Sequence, residues 1–139
     1  MKIIIPSIIA HNNQEFNERY NKISFAKIIH LDVMDGIFVK NKSLNFNLSL
    51  PRKKYHTHLM VINPKKWIPK IIDKSETIIF HYESCSSIED IFNCIKMINL
   101  KKRKIGIAIN PNTSITKIIQ FLNNIDTVLI MTVNPGNYG

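Results

Sequence analysis

Two short runs carry side chains that could do chemistry together: His30-Leu31-Asp32-Val33-Met34-Asp35-Gly36 and His56-Thr57-His58-Leu59-Met60. Both sit in β-branched, apolar surroundings of strand character. Alternate residues of a strand share a face, so His30, Asp32 and Met34 point one way, and His56, His58 and Met60 share a face on theirs. Two imidazoles and a carboxylate converging from adjacent strands can bind a divalent metal such as Zn²⁺ or Fe²⁺. Taken alone each spacing is a weak signal, because strand-end polar residues making structural hydrogen bonds would look the same. Further polar residues recur at the ends of other apolar runs: Ser7, then His81-Tyr82-Glu83, Asn110-Pro111, and Asn134-Pro135-Gly136 after Met131. In parallel α/β architectures ligands bind beyond those carboxyl ends.

The elements that must position these groups are legible as alternating patterns. Nearly continuous hydrophobic runs at 2–9, 27–34, 55–62, 77–83, 104–109 and 127–133 read as strands buried on both faces. Between them lie helix-like stretches. Asn13 precedes a stripe of Phe16, Tyr20 and Ile23, and Asn63-Pro64 places a capping residue before proline at a first helical position. Pro69 should kink or shorten that helix. Ser87 with Asp90 resembles a capping box leading into Ile91, Cys94, Ile95 and Ile98. Thr113 or Ser114 opens a stripe of Ile115, Ile118, Ile119, Leu122 and Ile125. Residues 36–54 show no amphipathic stripe and read as an extended loop with at most a turn of helix. Repeated βα units demand a parallel sheet with right-handed crossovers. Six strands suit an open sheet or most of an eight-stranded barrel, and a complete barrel usually takes ~200 residues or more.

The chain has 139 residues, 45% hydrophobic and 21% charged, which predicts one globular domain over 1–139. Its net charge of +9 would suit an anionic partner. The densest basic groups, Arg52-Lys53-Lys54 and Lys101-Lys102-Arg103-Lys104, each end just before an apolar run and read as solvated connections rather than a nucleic-acid patch. Cys85 and Cys94 form no zinc or redox motif and predict reduced thiols in a cytoplasmic setting. The longest N-terminal apolar run is too short to span a membrane and lacks a cleavage-site pattern.

Five segments together resemble the ribulose-phosphate 3-epimerase family: Pro6-Ser7, HLDVMDGIFVKN at 30–41, HLMVINP at 58–64, GIAINP at 106–111, and VLIMTVNPG at 128–136. They occur in that family's order along the whole chain. The resemblance implies a (β/α)8 TIM-barrel-type fold, here truncated after the sixth strand, and interconversion of ribulose 5-phosphate and xylulose 5-phosphate. It implies that His30, Asp32 and His58 are metal ligands and that Asp32 is also one of two proton-moving carboxylates. Ser7 matches a serine that hydrogen-bonds substrate. Met34, Met60 and Met131 match methionines around the reacting carbon, and simple core packing would also explain Met34 and Met131. Gly136 and Gly139 fall in the loop that closes on substrate. His81 occupies a position usually polar in the family. The second catalytic aspartate and the phosphate loops belong to strands seven and eight, which these residues do not include, and 41–54 is too short for the usual second helix.

The expected reading is therefore a metal-dependent sugar-phosphate epimerase using one Zn²⁺, Fe²⁺, Mn²⁺ or Co²⁺, with a small-molecule sugar phosphate as partner, no nucleic acid and no membrane. Unpaired strand edges would make a homo-oligomer compatible with it. The alternatives are a catalytically inactive phosphosugar-binding remnant of the same ancestry and an epimerase of a related ketose phosphate.

Overall fold

The computed structural model describes residues 3–137. Six parallel strands pair in sequence order: β1 (Ser7–Ile8), β2 (Ile28–Asp35), β4 (Lys54–Met60), β5 (Thr77–His81), β6 (Lys104–Ile109) and β7 (Thr127–Ile130). A short β3 (Lys42–Ser43) adds an antiparallel pair to the end of β2, Met34 opposite Ser43 and Asp35 opposite Lys42. This strand lies inside the stretch expected to be a plain loop. Residues from β1 and from beside β7 line one cavity with β2 and β4, so the sheet curves round toward itself. Among the described residues β1 and β7 each keep one unpaired edge.

The period of two along each strand separates two environments. Ile29, Leu31 and Val33 of β2, Tyr55 and Leu59 of β4, Ile78 and Phe80 of β5, and Ile105, Ile107 and Ile109 of β6 form one core with Phe16, Ile68, Ile91, Ile95 and Ile98 from the helices. The alternate residues face the inside of the curve. There Gly106 lies opposite Ile79, and a Cβ on Gly106 would come within 2.7 Å of Ile79 Cγ1. Only a missing side chain lets Ile79 fill that layer.

Helix α1 (Asn13–Ile23) starts one residue earlier than its stripe suggested: Asn12 is the cap, its side chain accepting from the Glu15 N–H at 2.9 Å. Helix α3 (Ile88–Leu100) buries Ile91, Cys94, Ile95 and Ile98 as its pattern predicts. Its capping box is half made. Ser87 Oγ accepts from Asp90 N–H at 3.1 Å, but the Asp90 carboxylate turns instead to Lys65 and Ser86. Asn63 does not cap the next helix. It sits in the left-handed region at φ 52° with no side-chain bond to the helix, which runs as a 3₁₀ turn (Pro64–Lys66) and then α2 (Ile68–Ile71), shortened around Pro69.

Residues Ile115–Asn124 form 3₁₀ turns rather than an α-helix. With three residues per turn the buried positions are Ile118 and Phe121, while Ile115, Ile119 and Leu122 of the expected stripe are exposed. The β-branched Ile115, Thr116, Ile118 and Ile119 are weak α-helix formers, and Phe121 packs edge-on against Phe92 with ring centroids 5.1 Å apart.

Several strands are shorter than the apolar runs. Pro6 cannot donate to a ladder, so β1 begins at Ser7 and Pro6 contributes its carbonyl, which accepts from His30 N–H at 2.9 Å. After β5 the chain turns through Tyr82–Ser84, and after β7 the ladder stops at Ile130. Cys85 and Cys94 are both free. No helix among the described residues is long and apolar enough to cross a membrane.

The Gly106–Ile79 contact gives a stability test. Gly106→Val should destabilise the fold by about 1–3 kcal/mol through overpacking. Ile79→Ala in the same chain should recover part of that loss, as read from urea unfolding midpoints.

Candidate active site

Strands β2 and β4 pair in register with His30 opposite His56, Asp32 opposite His58 and Met34 opposite Met60. All six side chains therefore face the inside of the curve in successive layers. Asp32 and His58 share a layer, and His58 Nδ1 lies 3.0 Å from Asp32 Oδ1. His30, one layer below, brings its Nε2 to 3.3 Å from the same oxygen. One donor atom from each of the three residues lies within 4.8 Å of the others. His56 stays outside this group; burial holds its imidazole below the ordinary histidine range.

The electrostatics suit a cation. Burial opposes ionisation of Asp32, but its polar contacts with His30 and His58 outweigh it and hold the carboxyl well below the usual carboxylate range. Burial pushes the His58 imidazole down to about 4, more than its hydrogen bond to Asp32 can offset. Near neutral pH this leaves a carboxylate beside an uncharged imidazole, the protonation states a divalent metal needs in its ligands. Two imidazole nitrogens and a carboxylate oxygen are a donor set for Zn²⁺, Fe²⁺, Mn²⁺ or Co²⁺.

These groups open into a cavity of about 320 Å³. Ser7, His30, Asp32, Met34, His58, Met60, Met131 and Gly136 all line it, so every expected site residue within the described range meets there. Gly139 lies outside the described residues. Met34 and Met60 are buried at 1% and 2% exposure, and together with Met131 they give the cavity a wall that brings no competing protons. Gly136 adopts φ +85° and packs on Val39, where a Cβ would come within 2.9 Å of the valine Cβ. Its carbonyl accepts from Asn41 Nδ2 at 2.6 Å, joining the loop after β7 to the loop after β2.

Three further residues build this site that the spacing of the histidines did not single out. Asp35 is buried on the side of β2 away from the cavity. Its Oδ1 accepts from Ile37 and Phe38 N–H at 2.8 and 2.9 Å, and its Oδ2 accepts from Ile62 N–H at 2.7 Å. It thereby ties the loop after β2 to the loop after β4 and sets the Phe38 ring 5.0 Å from that of His81. His81, fully buried, brings its Nε2 to 2.8 Å from His58 Nε2, and its Nδ1 lies 3.4 Å from Glu83 Oε2. Glu83 Oε1 accepts from Asn110 N–H at 2.8 Å and from the Thr113 hydroxyl. The available signal was polarity at the end of an apolar run, which marks such residues without saying whom they meet.

A family model described as the Ribulose-phosphate 3 epimerase family matches residues 3–139. Among curated proteins, the chain is 37% identical over 147 residues to the ribulose-phosphate 3-epimerase of Aquifex aeolicus, covering 100% of this chain and 65% of that protein. It is 33% identical over 120 residues to the enzyme of that name from Schizosaccharomyces pombe, covering 80% and 51%. It is 33% identical over 145 residues to the chloroplastic ribulose-5-phosphate-3-epimerase of Arabidopsis thaliana, covering 96% and 50%. The chain thus spans between 50% and 65% of the length of these relatives.

Glu83 gives a pH test of the loop clamp. Burial opposes its ionisation, but hydrogen bonds from His81, Thr113 and Asn110 hold its carboxyl down at about 2, against an ordinary 4.5. A carboxyl depressed on folding contributes stability that is complete above its unfolded value and is lost as pH falls toward the folded one. Between pH of about 5 and 2 the parent should therefore lose stability more steeply than Glu83→Gln, measured as urea midpoint against pH.

Proposed function

The chain belongs to the ribulose-phosphate 3-epimerase family, and from that premise we propose that the protein carrying it interconverts ribulose 5-phosphate and xylulose 5-phosphate by moving the proton at C3. The observation that carries this reading is the meeting of His30, Asp32 and His58 in one cavity walled by three methionines.

The proton at C3, next to a ketone, is weakly acidic, so its removal needs a positioned base and relief of the negative charge that develops on oxygen. Asp32 is the base. It is ionised, partly buried, and held in place by His30 and His58. His30, Asp32 and His58 would hold a divalent cation. When bound, such a cation supplies positive charge against the developing oxyanion. Met34, Met60 and Met131 keep water and exchangeable protons from the reacting carbon, and Ser7 at the rim offers a hydroxyl to the sugar.

Epimerisation needs a second proton carrier on the opposite face of the planar intermediate. Among the described residues Asp32 is the one carboxylate lining this cavity. The second carrier is the aspartate that the family resemblance assigns to the seventh parallel strand of the barrel, a different strand from β7, which is the sixth parallel strand. A second reading, a phosphosugar-binding protein without turnover, would be served by the same cavity and donor set.

The two readings separate in one assay on the protein that carries this chain. Ribulose 5-phosphate is incubated in D₂O with Zn²⁺, Fe²⁺, Mn²⁺ or Co²⁺. The epimerase converts it to xylulose 5-phosphate with deuterium at C3, and chelation abolishes this until metal is restored. Asp32→Asn, nearly isosteric, should lower turnover by about 10²–10⁴-fold with an unchanged circular dichroism spectrum. Binding of the sugar without deuterium at C3 under all four metals would establish the second reading instead.

A further inference from the structure

We propose that His81 and Glu83 are positioning residues for the metal centre, a relay that fixes which nitrogen of His58 is free to bind a cation. This rests on the reading of His30, Asp32 and His58 as a metal site. It assigns a role to one buried and one half-buried polar group that this reading leaves unused.

The geometry is a chain of four side chains. Asp32 Oδ1 lies 3.0 Å from His58 Nδ1, His58 Nε2 lies 2.8 Å from His81 Nε2, and His81 Nδ1 lies 3.4 Å from Glu83 Oε2. His58 turns Nδ1 toward the cavity and Nε2 away from it. A neutral imidazole carries one proton, and only the other nitrogen has a lone pair to offer a metal. If His58 is to ligate through Nδ1, its proton must sit on Nε2 and be donated to His81 Nε2. His81 must then carry its own proton on Nδ1, where it faces Glu83.

Each link is held from behind. Glu83 Oε1 accepts from Asn110 N–H and from Thr113, so the carboxylate is anchored to the loop after β6 with Oε2 left for His81. The His81 ring has no exposed surface. Phe38 packs at 5.0 Å on one side, His58 stacks at 5.0 Å on the other, and the neighbour across the ladder is the small Ala108. The competing arrangement puts the His58 proton on Nδ1, donated to Asp32, which occupies the position a cation needs. A carboxylate two rings away attracts the His81 proton to Nδ1 and so favours the arrangement ready for metal. Metal-ligating histidines commonly have such a partner on the second nitrogen, and losing it typically costs about 10–100-fold in metal affinity.

The test is titration of Co²⁺ into the protein carrying this chain, read by calorimetry and by the visible absorption of bound Co²⁺, with circular dichroism to check the fold. His81→Leu removes the acceptor for His58 Nε2–H, and should weaken Co²⁺ binding about 10–100-fold and shift the visible bands. His81→Gln can still present an oxygen to that N–H and should bind more tightly than His81→Leu, a recovery that a purely space-filling role would not produce. Glu83→Gln leaves His81 in place but removes the carboxylate, and should weaken binding while changing the bands. Affinity and bands matching the parent in a folded His81→Leu would overturn the relay. If His81→Leu does not fold, parent-like binding by Glu83→Gln overturns it equally. Absence of Co²⁺ binding by the parent would instead refute the metal reading itself, an outcome visible before any variant is made.

Discussion

The parallel pairing of β2 with β4, in the register that sets Asp32 beside His58, is the constraint on which the rest of this molecule depends. Side chains alternate with a period of two, so a slip of one residue would carry His58 into the outer core and turn Leu59 into the cavity. The outer face guards against that slip. Tyr55 and Leu59 on β4 are buried against the helices beside Leu31 and Val33 of β2, and a slip of β4 would take both out of that core. The apolar core thus holds the geometry of the candidate site from the outer face of the sheet.

Burial then does two opposite things to the groups brought together. It disfavours charge on both Asp32 and His58, yet the two imidazoles beside the carboxylate more than offset this and keep it ionised, while burial keeps the deeper histidine neutral. The site is left with a single negative charge and an available nitrogen. That asymmetry suits a cation and a base together, and it follows from where the two residues sit in the layers, because neither is unusual in kind.

Around this centre the loops are tied by polar contacts as well as by the packing of Phe38 and Val39. Asp35 joins the loops after β2 and β4, and Glu83 joins the turn after β5 to the loop after β6. Gly136 and Asn41 link the loop after β7 to the loop after β2. Each tie pairs an acceptor with backbone or side-chain N–H and O–H groups that the ends of the strands leave unsatisfied. The mouth of the curved sheet is held open in a defined shape, with the methionines at its wall.

The parallel sheet, the strand order, the inward set of His30, Asp32, Met34, His58 and Met60, and the buried face of α3 were legible in the amino-acid order, because strand and helix periods are local properties of a chain. The motif blocks carried the family for the same reason: they are contiguous. What required the tertiary structure was every relation between residues distant in sequence. The amino-acid order could not show that Asn12 rather than Asn13 caps α1, that Ile118 and Phe121 rather than the whole isoleucine stripe would be buried in 3₁₀ turns, or that residues 42–43 would pair back onto β2. Those outcomes are decided by competition among packing, capping and ladder bonds that differ by about a kcal/mol. Least visible of all was the meeting of Asp32, His58, His81 and Glu83, since a polar residue at a strand end has no partner until the register of the neighbouring strand supplies one.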